Sequence, residues 1–202
     1  MCSKFRLFNI SLAIALIFSV LLSMTSFDAS CEELRSNVLR LHILANSDSA
    51  EDQRLKLSVR DALLNESEGL FTGADTLSEA VVLADGNKDV IKRIAENTLR
   101  ENGCDYPVSV SVGEAFFDTR VYDDFSLPAG VYDALKIEIG RAEGKNWWCV
   151  IFPSICVGAA GDLSDTASDS AVNIAKNSDK FVIKFKVVEV YEKIKNKIIA
   201  WF

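Results

Sequence analysis

The stretch RLHILANSDSAEDQRLKLSVRD, residues 40–61, changes from one hydrophobic pattern to another within a few residues. Residues 38–45 are apolar and rich in strand-favouring residues, which predicts a buried β-strand. After them, apolar residues recur at helical spacing and predict a helix over 49–67. Asp48 is a residue type favoured at the N-cap, and Glu51 stands three places later, as in a capping box. The stretch therefore predicts a buried strand that leads directly into a capped helix.

The same stretch contains the single histidine of the chain, His42, close to several carboxylates. A zinc site needs three or four ligands, mostly imidazole or thiolate, and one histidine with distant carboxylates does not supply them. Asp48 and Glu51 are already assigned to helix capping. The sequence contains no P-loop, G-x-S-x-G elbow or dinucleotide-binding fingerprint. We therefore expect no catalytic residue, no metal site and no cofactor.

A helical region over 76–102 is followed by segments that predict strands. VSVSV, from residue 108, and ALKIEIG, from residue 134, alternate apolar and polar residues, which is typical of half-buried strands. The run NWWCVIF, 146–152, is apolar on both faces and predicts a central strand. Residues 158–179 are rich in Gly, Ser, Asp and Ala and predict a mobile loop. This order predicts an α+β fold, a mostly antiparallel sheet with helices packed on one face.

Residues 1–30 predict a signal peptide or a membrane anchor. Lys4 and Arg6 precede an apolar run over 7–24, and small residues follow it, which is the pattern of a secretory signal. The run is also long enough to span a bilayer, so an uncleaved anchor is the alternative. In both cases the positive charges stay inside, and residues 31–202 are expected outside the cytoplasm as a single domain.

Charge and cysteine content restrict the function further. The net charge of −7 argues against a nucleic-acid partner, because nucleic-acid-binding domains present a basic face. Export places the cysteines in an oxidising compartment, where disulfides persist. Cys149 and Cys156 flank Pro153 at a short spacing and predict a disulfide that closes a small loop.

Several aromatic and acidic residues and the C-terminal tail are each compatible with two different roles. Trp147 and Trp148 point to opposite faces of their strand, so they cannot form one stacking platform, and each serves either core packing or a binding surface. The carboxylates of Asp123 and Asp124 fit either acid/base chemistry or an exposed acidic turn. The tail from Lys180 begins with strand-like alternation and ends as an amphipathic helix, which docks on the domain or touches a membrane.

Three stretches carry a resemblance to a known family: LRLHILANSDSAEDQRLKLSVRDALL, YPVSVSVGEAFFDTRVY and LPAGVYDALKIEIGRAEGKNWWCVIFPSIC. In this order they resemble the stage II sporulation protein R family of endospore-forming bacteria. The run LPAG-Y-AL followed by NWWCV-FP and a second cysteine is the most specific part. The chain departs from the family pattern at Asp118, where proline is usual, which concerns the local turn rather than the fold.

The resemblance implies an exported signalling protein that is not an enzyme. Family members pass from the forespore into the space between the forespore and mother-cell membranes. There they trigger a membrane-embedded aspartic protease, the sigma-E factor processing peptidase. Such a protein would act by binding through an apolar patch, and its oligomeric state is left open. The candidate contact residues are Leu57, Leu64, Phe125, Trp147 and Trp148.

An enzyme or carbohydrate-binding domain acting on the cell wall is the alternative function. It would use Asp48, Asp123 or a tryptophan face. Hydrolysis of wall material or binding of glycan by the purified protein would favour it over the signalling function.

Overall fold

The computed structural model describes residues 2–122, 125–153, 166–199 and 201. The helices are α1 (Cys2–Arg35), α2 (Ala50–Phe71), α3 (Leu77–Gly86), α4 (Lys88–Glu101), α5 (Asp169–Lys176) and α6 (Val182–Ile199). The strands are β1 (Leu39–Leu44), β2 (Val108–Phe117), β3 (Arg120–Val121), β4 (Ser126–Leu127), β5 (Gly130–Ile139) and β6 (Asn146–Phe152). A short 3₁₀ helix, Ser178–Phe181, leads into α6.

Four strands form one mixed sheet in the order β2–β5–β1–β6. β1 is parallel to β5 and antiparallel to β6, and β2 is antiparallel to β5. β3 and β4 form a separate two-stranded hairpin. Three helices and the strands β2, β3 and β4 lie between β1 and β5 in the chain, which provides the long crossover that a parallel pair needs. The chain is an α+β domain, so the predicted fold class is confirmed.

The central position in this sheet belongs to β1 rather than to β6. All residues of β1 except Leu44 are buried, and the strand is flanked by β5 and β6. The apolar run 146–152 forms β6, which pairs with β1 alone among the described strands. The prediction that this run is a central strand is therefore wrong. The run is apolar because both faces of β6 are covered, by packing of Trp147 on one side and of Trp148 on the other.

We call the side of the sheet on which Leu39, Leu41 and Ile43 lie the first face. This face packs against α2, α3 and α4 in one apolar cluster. The helices contribute residues at helical spacing: Leu55, Val59 and Leu63 from α2, Ala80 and Ala84 from α3, and Ile91, Ala95 and Leu99 from α4. The i, i+4, i+8 spacing places each set on one side of its helix.

The opposite side, to which Arg40 and His42 point, we call the second face. It packs against the end of α1 and against α5 through Leu34, Ala171 and Ala175. The prediction that helices cover one face only is therefore wrong. The reason is that α1 continues beyond its apolar run as far as Arg35, and the C-terminal part of the chain returns to pack beside it.

The predicted loop over 158–179 is a helix in its second half. Ser168 accepts a hydrogen bond from the backbone N–H of Ala171 and caps α5, which spans 169–176. The apolar side of this amphipathic helix consists only of Ala171, Ile174 and Ala175. Because these residues are few and mostly small, the composition of the segment resembles that of a loop. Residues 158–165 of this region lie outside the described residues.

The helix after β1 begins one residue later than the sequence predicts. Ser49, not Asp48, is the N-cap of α2, and its Oγ accepts a hydrogen bond from the N–H of Asp52 at 3.1 Å. Asp48 instead accepts a hydrogen bond from the N–H of Lys145 at 2.6 Å, and Glu51 pairs with Arg54. The capping box assigned to Asp48 and Glu51 is therefore wrong, since a serine one place on provides the cap and frees Asp48 to hold the β5–β6 turn.

Candidate functional site: a buried arginine among aromatic rings

The second face of β1 carries a wholly buried cation. Arg40 is 0% exposed, although it lies in the middle of an otherwise apolar strand. Strand alternation places Arg40 and His42 on the side opposite to Leu39 and Leu41. Arginine is almost never fully buried unless it is paired. Its surroundings therefore define the most unusual site in the described part of the chain.

Aromatic rings surround the Arg40 guanidinium. Its carbon lies 4.0 Å from the ring centroid of Phe117 and 4.8 Å from that of Tyr132. Nη2 donates a hydrogen bond to the Tyr122 hydroxyl at 3.0 Å. No described residue accepts a hydrogen bond from Nε or Nη1. Each desolvated cation–π contact is worth about 2 kcal/mol, whereas burial of an unpaired charge costs several kcal/mol, so the site does not stabilise the fold in proportion to its burial.

Tyr132 is held in place by the LPAG segment that precedes it. Its hydroxyl donates a hydrogen bond to the carbonyl of Pro128 at 2.6 Å, and burial raises the pKa of Tyr132 well above its usual range, so the phenol stays protonated. Gly130 has a φ of 151°, and a Cβ at this position would collide with the side chain of Arg35. Arg35 in turn donates to the carbonyl of Ala129 at 3.0 Å. The segment therefore serves to position one wall of the arginine site.

His42 and Trp148 extend the cluster along the second face. Their rings are stacked, with centroids 3.9 Å apart and an interplanar angle of 16°. Phe117 meets Trp148 edge-on at 4.8 Å, and the guanidinium of Arg120, from the β3–β4 hairpin, lies over Trp148 at 5.2 Å. We call Arg40, His42, Phe117, Tyr132 and Trp148 the arginine–aromatic cluster.

The histidine of this cluster is neutral at physiological pH. Burial lowers the pKa of His42 to about 4, although a hydrogen bond with Asn146 acts in the opposite direction. A nearby Lys136 lowers the pKa of His42 further, and Glu138 partly offsets it. A base with such a low pKa is poorly matched to proton transfer near neutral pH. The arrangement thus holds the positive charge of Arg40 among packed rings, and only Trp148 of the cluster is partly exposed.

The carboxylates near the start of α2 have structural partners. The Asp52 carboxylate accepts hydrogen bonds from Ser47 Oγ and from Asn46 Nδ2, the latter at 2.9 Å, and these bonds lower the pKa of Asp52. Asn46 Oδ1 accepts from the N–H of Arg141 at 3.0 Å, and Asp48 holds Lys145. This network joins the β1–α2 loop to the β5–β6 turn. Among the described residues, no group of three or more His, Cys, Asp or Glu side chains is placed to hold a metal ion.

The five residues predicted to contact a partner do not form one surface. Leu64 and Trp147 pack against the apolar cluster of the first face, where the Arg60 guanidinium covers the Trp147 ring at 4.3 Å. Trp148 and Phe125 pack against the cluster of the second face. Leu57 is half-buried on α2. Contact with a partner at one face of the sheet would therefore include either Leu64 and Trp147 or Phe125 and Trp148.

Two further predictions concern residues that the structure describes in part. Cys149 is buried in β6, whereas Cys156 lies outside the described residues, so the disulfide between them stays a prediction. Asp123, named for the alternative cell-wall function, also lies outside the described residues.

No pattern in the sequence marks Arg40, Phe117 or Tyr122 as functional, and Tyr132 is included only as the end of the loop 125–132 that is predicted to contact a partner. A usable signal was present, because Arg40 interrupts the apolar run 38–45 and shares a face with His42. Its aromatic partners come from two other strands and a hairpin, and no local pattern connects them to β1. Only the strand order and register, which pair Arg40 with Ala134 and Val150, bring these segments together.

The fold and the site together describe an α+β domain that follows an apolar N-terminal helix compatible with a signal or an anchor. The family model for stage II sporulation protein R matches residues 35–161. The chain is also 35% identical over 159 residues to stage II sporulation protein R of Bacillus subtilis (strain 168), covering 79% of this chain and 67% of that protein. The chain belongs to the stage II sporulation protein R family, and the resemblance noted in the sequence is confirmed.

The comparison with solved structures finds no match at a significant level. The family name denotes a sporulation protein and specifies no catalytic activity. The matched range contains the whole four-stranded sheet and the arginine–aromatic cluster, whereas most of α1 and the helices α5 and α6 lie outside it.

Proposed function

We propose that the protein is an intercompartmental signalling protein of sporulation, exported from the forespore, that activates the membrane-embedded sigma-E factor processing peptidase. Membership of the stage II sporulation protein R family is the observation that supports this function most strongly. The apolar helix α1 is consistent with export of the domain that follows it. The partner and the compartment come from the family resemblance.

Activation by binding requires a preference for one state of the protease. A ligand shifts a conformational equilibrium only by its differential affinity for the two states. A shift from 1% to 99% active protease requires a preference of about 10⁴-fold, or about 5.5 kcal/mol. Apolar surface that becomes buried in the complex can supply this free energy.

We place the contact on the second face, at the β3–β4 hairpin that covers the arginine–aromatic cluster. Val121 of this hairpin is 78% exposed, and the stacked rings of Tyr122 and Phe125 lie directly beside it. Arg120 extends from the same hairpin over Trp148. Leu64 and Trp147 pack against the first face just as Phe125 and Trp148 pack against the second, so the exposed Val121 is the observation that favours the hairpin. The second face therefore combines exposed apolar surface with a positive charge held at a fixed position.

The proposed contact is tested by co-expressing the protein with the protease and the sigma-E precursor. Val121→Asp should abolish precursor processing while the melting temperature stays near that of the wild type, because Val121 packs little in the free protein. Val82→Asp is the matched control, since Val82 is 67% exposed on α3 at the first face. It should process the precursor normally.

Two results would contradict this proposal. Normal processing by Val121→Asp would remove the hairpin from the contact. Cleavage of the precursor by this protein without the protease would show that the protein is itself the enzyme.

A further inference from the structure

Helix α1 has two parts with opposite environments. Its N-terminal part is apolar and exposed, with Phe8, Ile14 and Phe18 each at least 60% exposed. Its C-terminal part is buried in the domain, where Phe27 is 2% exposed and Cys31 and Leu34 are fully buried. The two parts form one uninterrupted helix from Cys2 to Arg35.

The buried part of α1 packs against α6 and the 3₁₀ helix before it. The Phe27 ring meets the Phe185 ring edge-on at 5.2 Å and lies 5.7 Å from the Phe181 ring. Cys31 belongs to the same cluster, together with Val188 of α6. Removal of Phe27 would therefore expose apolar surface on α6.

Polar contacts from α1 also organise the surrounding elements. The Glu33 carboxylate accepts hydrogen bonds from the N–H of Ser168 at 2.6 Å and from its hydroxyl at 2.7 Å, at the N-terminus of α5. The buried guanidinium of Arg35 donates to Ala129 and lies 3.8 Å from the buried carboxylate of Glu192 on α6. The segment 27–35 is thus an integral part of the domain and not a disposable leader.

The small residues that resemble a cleavage site lie inside this packed segment. Signal peptidases cut after small residues in an A-x-A-like arrangement, and Ala29 and Cys31 provide such a pair. In the structure these residues are helical, and Cys31 is fully buried. A cut at this position would separate Phe27 from Phe185.

We infer that α1 is retained as a membrane anchor, with its exposed apolar part in the lipid bilayer and its last turns, 27–35, built into the exported domain. This inference goes beyond the proposed function and does not depend on the identity of the partner. It favours the anchor over the cleaved signal among the two alternatives that the sequence leaves open.

The start of α6 is placed to touch the bilayer surface. Lys184 Nζ donates a hydrogen bond to Ser23 Oγ at 2.7 Å, close to the point where the apolar part of α1 ends. The neighbouring Val182 and Ile183 are exposed, Ile183 by 80%. Exposed aliphatic side chains next to a lysine are typical of segments that lie at a membrane interface.

The retained anchor is tested on the full chain, carrying a C-terminal tag and exported in a bacterial host. After an alkaline wash of the membranes, the protein should stay in the membrane pellet with the intact mass of about 22.3 kDa plus the tag. A shorter chain that begins between residues 26 and 36, or a protein released from the membranes, would overturn the inference. Neither readout involves precursor processing, so failure of the proposed function would not affect it.

A pair of substitutions on one helix tests the role of residues 27–35 in the domain. Phe27→Asp should make the exported domain more than roughly tenfold more sensitive to added protease, because it opens the α1–α6 contact. Thr25→Asp, at an exposed position two residues earlier, should leave the sensitivity unchanged. Equal resistance of the Phe27→Asp and wild-type proteins would show that this segment is not part of the domain core.

Discussion

On the first face of the sheet β1 contributes Leu39, Leu41 and Ile43, whereas on the second face the same strand contributes Arg40 and His42. The first face is covered by three amphipathic helices, and its buried cluster is apolar, with the Arg60 guanidinium over the Trp147 ring beside it. The second face is covered by the end of α1, by α5 and by a short hairpin. It contains a buried cation, Arg40, with two nitrogen atoms, Nε and Nη1, from which no described residue accepts a hydrogen bond.

This difference indicates that one face of the sheet contributes more to stability than the other. Burial of aliphatic side chains on the first face stabilises the fold, at about 25 cal/mol per Å² of apolar surface. The arginine–aromatic cluster adds little net stability for its volume, because the cost of burying Arg40 offsets its contacts with the rings. Buried groups with incomplete hydrogen bonding call for a reason other than stability. We therefore propose that the first face mainly serves folding and that the second face serves the proposed signalling function.

The largest expected effect is on the first face. Ile43→Ala should lower the free energy of unfolding by about 2–5 kcal/mol, since it removes a fully buried side chain and leaves a cavity. On the second face, Arg40→Met should change the free energy of unfolding by less than about 1 kcal/mol, or increase it, because an apolar side chain of similar length replaces an incompletely paired charge.

Denaturant-induced unfolding of both variants, followed by circular dichroism in the same detergent, measures this comparison. A loss of several kcal/mol in Arg40→Met would mean that the cluster is a stabilising element. The difference between the two faces would then disappear.

The next effect is the pH dependence that His42 gives to the second face. Because the pKa of His42 is about 4 in the folded protein and near 6.5 in the unfolded chain, the unfolded chain binds more protons between these values. The contribution of neutral His42 to the free energy of unfolding is therefore fully present above pH 6.5. It is lost as the pH falls toward 4, by up to about 3 kcal/mol.

His42→Gln should remove this part of the acid sensitivity, as measured by melting temperatures from pH 7 to pH 4. The charged groups facing His42 are Lys136, Glu138 and Arg40, and they remain in the variant. An unchanged pH profile would show that His42 is not the titrating group.

The smallest effect on stability concerns the helical layer of the first face. Ser49→Ala should cost about 0.5–2 kcal/mol, the usual loss of an N-cap hydrogen bond. Glu51→Ala should cost less than Ser49→Ala, because its pair with Arg54 is exposed and screened by water. Thermal unfolding of the two variants decides between them. A larger loss of stability in Glu51→Ala than in Ser49→Ala would support the capping box that the sequence predicts.

Local patterns in the sequence were enough for the first face. The periodicity of α2 and the alternation in β2 and β5 follow from burial on one side, so β-strands and helices were found where one apolar face dominates. The cap was misplaced by one residue because serine and aspartate are both favoured at this position.

The second face could not be predicted in the same way. Its partners come from β2, β5, β6 and the β3–β4 hairpin, and the insertion of β1 between β5 and β6 is decided by long-range pairing. The register of β6 on β1 places Trp148 opposite His42, and no local pattern in the sequence indicates this pairing. The packing of α1 was also missed, because an apolar N-terminal run predicts a signal and gives no information on where its last turns dock.

Precursor processing by Arg40→Met tests most directly whether the second face serves signalling rather than stability. The variant is co-expressed with the protease and the sigma-E precursor, and its melting temperature is measured on the same preparation. We expect processing to be lost while the melting temperature equals or exceeds that of the wild type. Normal processing by a stable Arg40→Met protein would contradict the assignment of the second face to signalling.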